Sequence, residues 1–377
     1  MKEATAEKLN IFMAMFLMNL IMRLQVPVFT PYAAAFGASS FFIGIILSVT
    51  AFSNLSGNLL AGPLVDKVGK KMFIILPIYT AGILFIFHGL ARSSMDLLLL
   101  HALNGFAMGF MIPAAFTLLS SYAKNRQEQG KNMAINGILS TIANILAPLL
   151  GGKLVVLIGY VNTYFFMGAA MIMTGFYTVI FLKDSSQITT VPSQKSIDTK
   201  TSLSPKLIFT YLIGFAVMYN HGVLIYEIPY LTVEKGYSTY ETGKLFSYMG
   251  IGTFITLSLL FINRFDPYKR LLVGLFGMSM TLFGLAISAF SLPLLLLISG
   301  LFFGLIMPAM ATAITEGTNK NSHGKAFGYM SAIFSLGIIL SSFITGAIRS
   351  VISPYYIAFL IGTFVFTFAI LKKNDDR

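Results

Sequence analysis

The residues of this chain with the most scope for chemistry are the few ionisable side chains that lie inside long apolar runs. Arg23 is one of them, and it shares a helical stripe with Asn19, Pro27 and Pro31 at spacings of four residues. A charge in such a run is costly in lipid, so its presence indicates binding or coupling. We expect Arg23 and Asn19 to bind a ligand. The alternative is a structural cation that is satisfied by carbonyls or by a distant carboxylate.

A second set of candidates lies in a later apolar run, 206–231. His221 stands eight residues before a Pro-Tyr pair, as Arg23 does in the first run, and this correspondence predicts that His221 also faces a binding cavity. Tyr219 and Tyr226 are expected to line the same cavity. The alternative for His221 is a hydrogen-bonded wall residue with no role in binding.

Glu227 is the only carboxylate well inside an apolar run and away from the predicted helix ends. A carboxylate in surroundings of low dielectric constant can have its pKa moved toward neutrality, so Glu227 is a candidate for proton coupling. The alternative is an acid that extends to the outer interface, near Glu234. His88 stands at the outer end of the third run and is expected to be interfacial.

The composition excludes a water-soluble fold. Only 11% of the residues are charged and 56% are apolar, before 33 glycines are added, whereas soluble domains carry about a quarter of their residues as charges. The apolar content suffices for about twelve helices of about twenty residues each. The sequence therefore predicts an all-α membrane protein with twelve transmembrane helices in two pseudo-symmetric six-helix bundles. The predicted spans are 9–33, 40–64, 72–91, 95–122, 131–158, 160–182, 206–231, 240–263, 268–290, 292–315, 324–349 and 354–372.

The basic residues fix the predicted orientation. With a cytoplasmic N-terminus, twenty of the 26 Lys and Arg residues fall on the inner side, which places both termini in the cytoplasm of a cell-membrane protein. The net charge of +12 therefore needs no nucleic-acid partner. The longest polar stretch, 183–205, is predicted to be a cytoplasmic linker between an N-terminal bundle, 1–182, and a C-terminal bundle, 206–377.

The two halves share an internal repeat. The small residues Gly105, Gly109, Pro113 and Thr117 recur 195 positions later as Gly300, Gly304, Pro308 and Thr312. The segment that begins at Gly37 likewise matches the segment that begins at Gly236. Either the halves are a structural duplication, as in many transporters, or small residues simply let helices approach closely. We favour the duplication.

A patterned loop follows the second span. Gly62 permits close helix contact, Gly69 permits a tight turn, Lys70 and Lys71 favour the cytoplasmic side, and Asp66 can pair with a cation or a helix N-terminus. The run resembles the signature G-x-L-x-D-x-x-G-R-R/K of the major facilitator superfamily, with Lys70 where Arg is usual. The resemblance implies a gating role for these residues and two bundles that expose a central site alternately to each side.

Two further elements are similar to those of the family's drug and metabolite antiporters. Pro148, Gly151 and Gly152 resemble the G-P-x-x-G-G element, with Ala147 in place of its first glycine. His101 occupies the position of the arginine in the R-x-x-Q-G element. The resemblance therefore implies a gating element in the fifth span. It also makes His101 a candidate for proton coupling, because histidine titrates near neutrality.

These features predict a secondary active transporter that exports a small organic compound in exchange for protons. Because Arg23 is the only deep charge of the first six spans, we expect a drug or metabolite that is carboxylate-bearing or zwitterionic, with metallophores among the candidates. The alternatives are proton-linked uptake of a small organic acid and, outside transport, a membrane sensor. The sequence has no cysteine and no catalytic or metal-binding cluster, so we expect no enzyme activity, metal or cofactor. The expected partners are substrate, protons and the lipid bilayer, with the protein acting as a monomer.

Overall fold

The structure is a computed structural model that describes residues 2–68, 70–123, 126–182, 205–318 and 323–375. Every regular element in these ranges is a helix, which confirms the predicted fold class. The helices are α1 (Lys2–Leu24), α2 (Phe29–Ala35), α3 (Ser40–Val68), α4 (Met72–Gly89), α5 (Ser94–Ser121), α6 (Arg126–Phe181), α7 (Pro205–Lys235), α8 (Thr239–Ser258), α9 (Pro267–Ala286), α10 (Leu292–Glu316), α11 (His323–Ile348) and α12 (Pro354–Asp375), with a 3₁₀ turn at Leu260–Arg264.

The described residues contain ten helical stretches that are long and apolar enough to cross a membrane. One of them, Glu128–Phe181, has 54 residues, and its backbone breaks at Gly159, where φ is +77°. Since a crossing needs about twenty residues, this stretch is long enough for the fifth and sixth spans, predicted at 131–158 and 160–182. α8 also has 20 residues, but it is more polar than these ten helical stretches. The helices are thus consistent with twelve crossings.

The first predicted span, 9–33, is not one continuous helix. α1 ends at Leu24, and α2 begins only at Phe29. Pro27 explains the break, because its ring nitrogen has no hydrogen to donate to the carbonyl of Arg23. That carbonyl instead accepts a turn hydrogen bond from the backbone N–H of Val26 at 3.2 Å.

Internal packing divides the chain into two compact units. The first unit comprises Met1–Ala38, Val49–Asp198 and Thr232–Gly243, and the second comprises Ser39–Ser48, Thr199–Leu231 and Lys244–Arg377. In the first unit α1 packs on α5 and α6, and α4 packs on the same two helices. In the second unit α9 packs on α10 and α12. The predicted bundle boundaries stay a prediction, and the linker at 183–204 lies outside the described residues.

In the first unit, α3 and α5 approach each other at glycine. A methyl group on Gly105 would lie 3.1 Å from the carbonyl carbon of Thr50, and one on Gly109 would lie 2.9 Å from the Cα of Gly57. The side chain of Asn54 donates a hydrogen bond to the carbonyl of Gly105 at 3.2 Å. Because glycine has no Cβ, the two backbones can lie in direct contact here.

The second unit repeats this contact between α8 and α10. A methyl group on Gly300 would lie 2.8 Å from the carbonyl carbon of Met249, and one on Gly304 would lie 2.7 Å from the carbonyl oxygen of Thr253. The hydroxyl of Thr253 donates to the carbonyl of Gly300 at 3.1 Å. Gly105 and Gly109 of α5 correspond to residues 195 positions later in α10, and Thr50 and Asn54 of α3 correspond to Met249 and Thr253 of α8, 199 positions later, which are the two offsets of the sequence repeat. The matching contacts support a structural duplication.

The glycine contacts predict a contrast in stability. We expect Gly109→Ala and Gly304→Ala to destabilise the protein, since overpacking a closed contact costs about 1–3 kcal/mol. Gly137→Ala and Gly328→Ala are matched controls, because a methyl group at either position meets no atom within 4 Å. The apparent melting temperature of the purified chain in detergent measures the effect. Equal melting temperatures for all four variants would contradict the proposed role of the contacts.

Candidate functional site

Arg23 lies in the last turn of α1, where it is partly buried. The C-terminal end of a helix carries partial negative charge, which stabilises a cation. No residue in the described part of the chain forms a hydrogen bond or ion pair with its guanidinium. Among the described residues, Arg23 is therefore a sheltered cation whose donors no protein group occupies.

The Pro-Gly-Gly element of α6 fixes the end of α1. A methyl group on Gly151 would lie 2.9 Å from the Cα of Leu24, the neighbour of Arg23. A methyl group on Gly152 would be just as close to Tyr240, 2.9 Å from its Cα. Pro148 lies inside the same helix, one turn before these glycines. The motif thus sets the position of the segment that carries the candidate cation.

Asn19 lies one turn before Arg23 on the same face of α1 and is also partly buried. Its side-chain amide donates to the carbonyl of Met15 at 2.9 Å. That bond uses a donor and leaves the amide oxygen for another partner. The sequence thus correctly places Asn19 and Arg23 side by side, while a shared ligand for them stays a prediction.

In the second unit, Tyr219 and His221 lie on α7. Tyr219 is 1% exposed, and its hydroxyl has no hydrogen-bond partner among the described residues. The ring of His221 is partly exposed and stacks on Phe303, with ring centroids 4.7 Å apart. Asn220, between them, is fully buried, and in its better amide orientation it donates to the carbonyl of Ala358 at 2.9 Å.

Glu227 has a partner that the sequence does not reveal. Arg349, at the end of α11, donates to its carboxylate through Nε at 3.1 Å and Nη2 at 3.4 Å. The same guanidinium lies 3.6 Å from the ring centroid of Tyr230. Tyr226, beside Glu227, donates its hydroxyl to the carbonyl of Ser40 at 2.6 Å. Glu227 is only 7% exposed, so it does not extend into an aqueous interface.

His101 is buried in the first unit, and it meets a second histidine. Its ring centroid lies 5.0 Å from that of His88, and its Nδ1 lies 3.2 Å from the hydroxyl of Thr50. The expectation that His88 is interfacial stays a prediction, but the structure shows that this side chain is completely buried within the protein. The packing of α4 against α5 and α6 encloses it. Sequence position alone marks His88 as near a helix end but does not show what covers it.

Aromatic rings complete this histidine cluster. His88 stacks on Tyr164 with centroids 5.1 Å apart and planes at 13°, and Phe29 lies 3.8 Å from His101. Tyr32 donates its hydroxyl to the backbone carbonyl of His88 at 2.8 Å. Nothing in the local sequence around Tyr164 points to this role, since the residues come from four different helices.

The signature loop is only partly described. Gly62 and Asp66 lie in the helical backbone of α3, but the side chain of Asp66 and the whole of Gly69 lie outside what the structure describes. Lys70 directly precedes Lys71, whose ammonium donates to the carbonyl of Val179 at 3.0 Å. The gating role of these residues stays a prediction. Within the described ranges, no group of three His, Asp or Glu side chains could hold a metal ion.

Comparisons with known proteins agree with this architecture. The chain is 22% identical to the multidrug resistance protein MdtG of Escherichia coli over 318 residues, which cover 81% of this chain and 78% of that protein. A bacterial homolog of the human lysosomal transporter Spinster, in an inward-facing and unoccupied conformation, superposes with a TM-score of 0.74 at 18% identity, covering 92% of this chain and 83% of that one.

The nucleoside transporter NupG superposes with a TM-score of 0.73 at 14% identity, covering 97% of this chain and 99% of that chain. At these identities the structural matches show the fold. The family model of the Major Facilitator Superfamily matches residues 11–342 of this chain. The chain therefore belongs to the Major Facilitator Superfamily of membrane transporters.

Proposed function

We propose that this transporter exports a small organic compound that carries a carboxylate or is zwitterionic, in exchange for protons and by alternating access. The proposal rests on Arg23, a sheltered cation at the end of α1 that forms no hydrogen bond or ion pair with any of the described residues. The proposal includes a cell-membrane location with both termini in the cytoplasm and function as a monomer.

The substrate class follows from the chemistry of the guanidinium. Arginine presents a planar fork of donors that matches a carboxylate, and such charge-assisted hydrogen bonds are strong in dry surroundings. Asn19 offers an amide oxygen one turn away, which suits the ammonium or hydroxyl group of a zwitterion. Tyr219, His221 and Tyr226 stay the candidates that the sequence offers for further aromatic and polar contacts with the substrate.

Two features support export over uptake. The element formed by Pro148, Gly151 and Gly152 resembles the corresponding element of antiporters. Because Gly151 packs against Leu24, a movement of this element would also move the segment that carries Arg23. The similarity to a multidrug resistance protein also favours export. The alternative function is uptake of an organic acid together with protons. Movement of substrate and protons in the same direction would favour it over export.

Proton coupling is proposed to involve Glu227, with His101 as the second candidate. The Glu227 carboxylate is buried and pairs with Arg349, so a proton that binds Glu227 would remove the negative charge of this pair. A buried ion pair that loses one charge leaves the other uncompensated, which is strongly unfavourable. Protonation would therefore release Arg349 and change the packing of α7 against α11.

Arg23→Ala should weaken the binding of carboxylate compounds selectively. Loss of a hydrogen bond between charged groups costs about 1.5–3 kcal/mol, which corresponds to roughly tenfold to hundredfold weaker affinity. Carboxamide analogues of the same compounds should bind equally well before and after the substitution. Ligand-induced stabilisation of the purified chain against heat, measured for a panel of acids and their carboxamides, gives the affinities.

Arg92→Ala is the matched control, because Arg92 is an exposed residue of the α4–α5 connection. It should leave the affinities of both series unchanged. The proposed substrate class is wrong if Arg23→Ala lowers the affinity for acids and for carboxamides equally. It is also wrong if the substitution changes the affinity for neither.

Glu227→Gln should uncouple transport from the proton gradient. The amide keeps the shape of the side chain but cannot lose or gain the proton, so accumulation driven by a pH gradient should disappear while substrate exchange continues. Transport into inside-out proteoliposomes, with and without an imposed gradient, separates the two activities. Glu234 is an exposed residue of the same helix, so Glu234→Gln is the control. This variant should keep both gradient-driven accumulation and substrate exchange. Gradient-driven accumulation that persists in Glu227→Gln would exclude Glu227 as the coupling carboxylate.

A further inference from the structure

The second unit contains a cavity at the end where α7 and α9 begin and α10 ends. Its volume is about 560 Å³, which is in the range of sites that hold small organic compounds. Arg23, Asn19 and Glu227, the residues on which the proposed function rests, do not line it. The proposed orientation of the chain places this end at the cytoplasmic side of the membrane. The cavity therefore offers a separate site to compounds of the cytoplasm.

Charges of both signs line this cavity, and they come from different helices. Lys206 belongs to the first turn of α7 and Lys269 to the first turn of α9, whereas Glu316 is the last residue of α10. All three residues are exposed, and within the described part of the chain no ion pair joins either lysine to Glu316. Water solvates separated charges in an open cavity. A ligand with groups of both signs can replace this water and pair with both.

The helix ends reinforce the separation of charge. The N-terminal turn of a helix carries partial positive charge and the C-terminal turn carries partial negative charge. Lys206, Lys269 and Glu316 therefore each lie at the helix end that has the sign of their own charge. A cytoplasmic location explains the two lysines, but it does not explain an acid at the end of α10. The cavity is thus positive beside α7 and α9 and negative beside α10.

Two further charges adjoin the cavity, but the fold uses them. Asp266 caps α9, because its carboxylate accepts a hydrogen bond from the backbone N–H of Lys269 at 2.8 Å. The buried guanidinium of Arg270 donates to the amide oxygen of Asn263 at 2.6 Å and attracts Asp266 and Glu316 only at longer range. Among the described residues, the two lysines and Glu316 are therefore the charges that a ligand can pair with directly.

We propose that this cavity binds a zwitterion, with its anionic group toward Lys206 and Lys269 and its ammonium group toward Glu316. Phe209 of α7 and Ala313 of α10 add apolar surface that suits the carbon chain between the two groups. Such a ligand has two sources, a free compound of the cytoplasm and the headgroup of an aminophospholipid. That the free compound is the exported substrate, captured here before transport, rests on the proposed function; that the cavity binds a zwitterion does not.

A label in the cavity wall tests the binding directly. The chain has no cysteine, so Ala313→Cys places a single thiol in the wall for a trifluoromethyl label. The ¹⁹F resonance of the full-length chain in detergent is titrated with 6-aminohexanoate, which carries both charges. The matched compounds 6-hydroxyhexanoate and 6-aminohexanamide carry only the anionic and only the ammonium group. We expect a saturable shift, with 6-aminohexanoate the tightest of the three compounds.

Charge variants should separate the two ends of the ligand. Lys206→Ala and Lys269→Ala should each weaken the binding of 6-aminohexanoate and 6-hydroxyhexanoate roughly two- to fivefold and leave 6-aminohexanamide unchanged. Glu316→Gln should weaken 6-aminohexanoate and 6-aminohexanamide by a similar factor and leave 6-hydroxyhexanoate unchanged. Lys235→Ala and Glu234→Gln, at exposed residues of the other end of α7, are the controls and should change none of the three affinities.

Two results would overturn the site: 6-aminohexanoate gives no saturable shift, or the charge variants weaken all three compounds equally. The same titrations are also read as stabilisation of the unlabelled Arg23→Ala chain against heat. This second readout needs no label and removes the cation of the proposed substrate site. Failure of the cavity to bind therefore leaves the proposed function standing, and failure of the Arg23 test leaves the cavity standing.

Nanodiscs of phosphatidylcholine, with and without phosphatidylethanolamine, distinguish the two sources of the ligand. Both lipids are neutral overall, but only phosphatidylethanolamine has an ammonium group that can donate hydrogen bonds to Glu316. If this headgroup occupies the cavity, 6-aminohexanoate binds more weakly in discs that contain it, and Glu316→Gln removes the difference. Equal affinity in both kinds of disc assigns the cavity to the free compound.

Discussion

Direct contact between helix backbones at glycine is the constraint on which the rest of this structure depends. In lipid, helices gain little from burying apolar side chains against one another, so close packing and interhelical hydrogen bonds must hold them together. Gly105 and Gly109 provide this contact in the first unit, and Gly300 and Gly304 provide it in the second. In each unit a polar side chain adds a hydrogen bond to a glycine carbonyl at the contact.

The same contacts position the groups that can do chemistry. Thr50 touches Gly105 through its carbonyl and His101 through its hydroxyl, so the α3–α5 contact also orients the imidazole. Gly151 lies against Leu24, so this contact sets where the end of α1, and with it Arg23, packs in the first unit. The position of Arg23 thus depends on a backbone contact made by the neighbouring residue, Leu24.

The sequence predicts the elements well because their signals are local. Apolar runs give the spans, and the boundary of the fifth and sixth spans coincides with the positive φ of Gly159. The repeat offsets anticipate the glycine contacts of both units. The pairing of Glu227 with Arg349 and the burial of His88 could not be predicted, because they depend on which faces of distant helices meet. The break in the first span follows from Pro27, but the turn hydrogen bond that the carbonyl of Arg23 accepts depends on the local backbone conformation, which the sequence does not show.

Exchange of protons for an acidic or zwitterionic compound is the central claim of this account. Its most direct test is to record proton and substrate movement together in proteoliposomes that contain only the purified wild-type chain and a pH-sensitive dye in the lumen. The account predicts that each addition of a transported carboxylate compound moves protons in the opposite direction to the compound. Substrate movement without proton movement, or movement of both in the same direction, would contradict it.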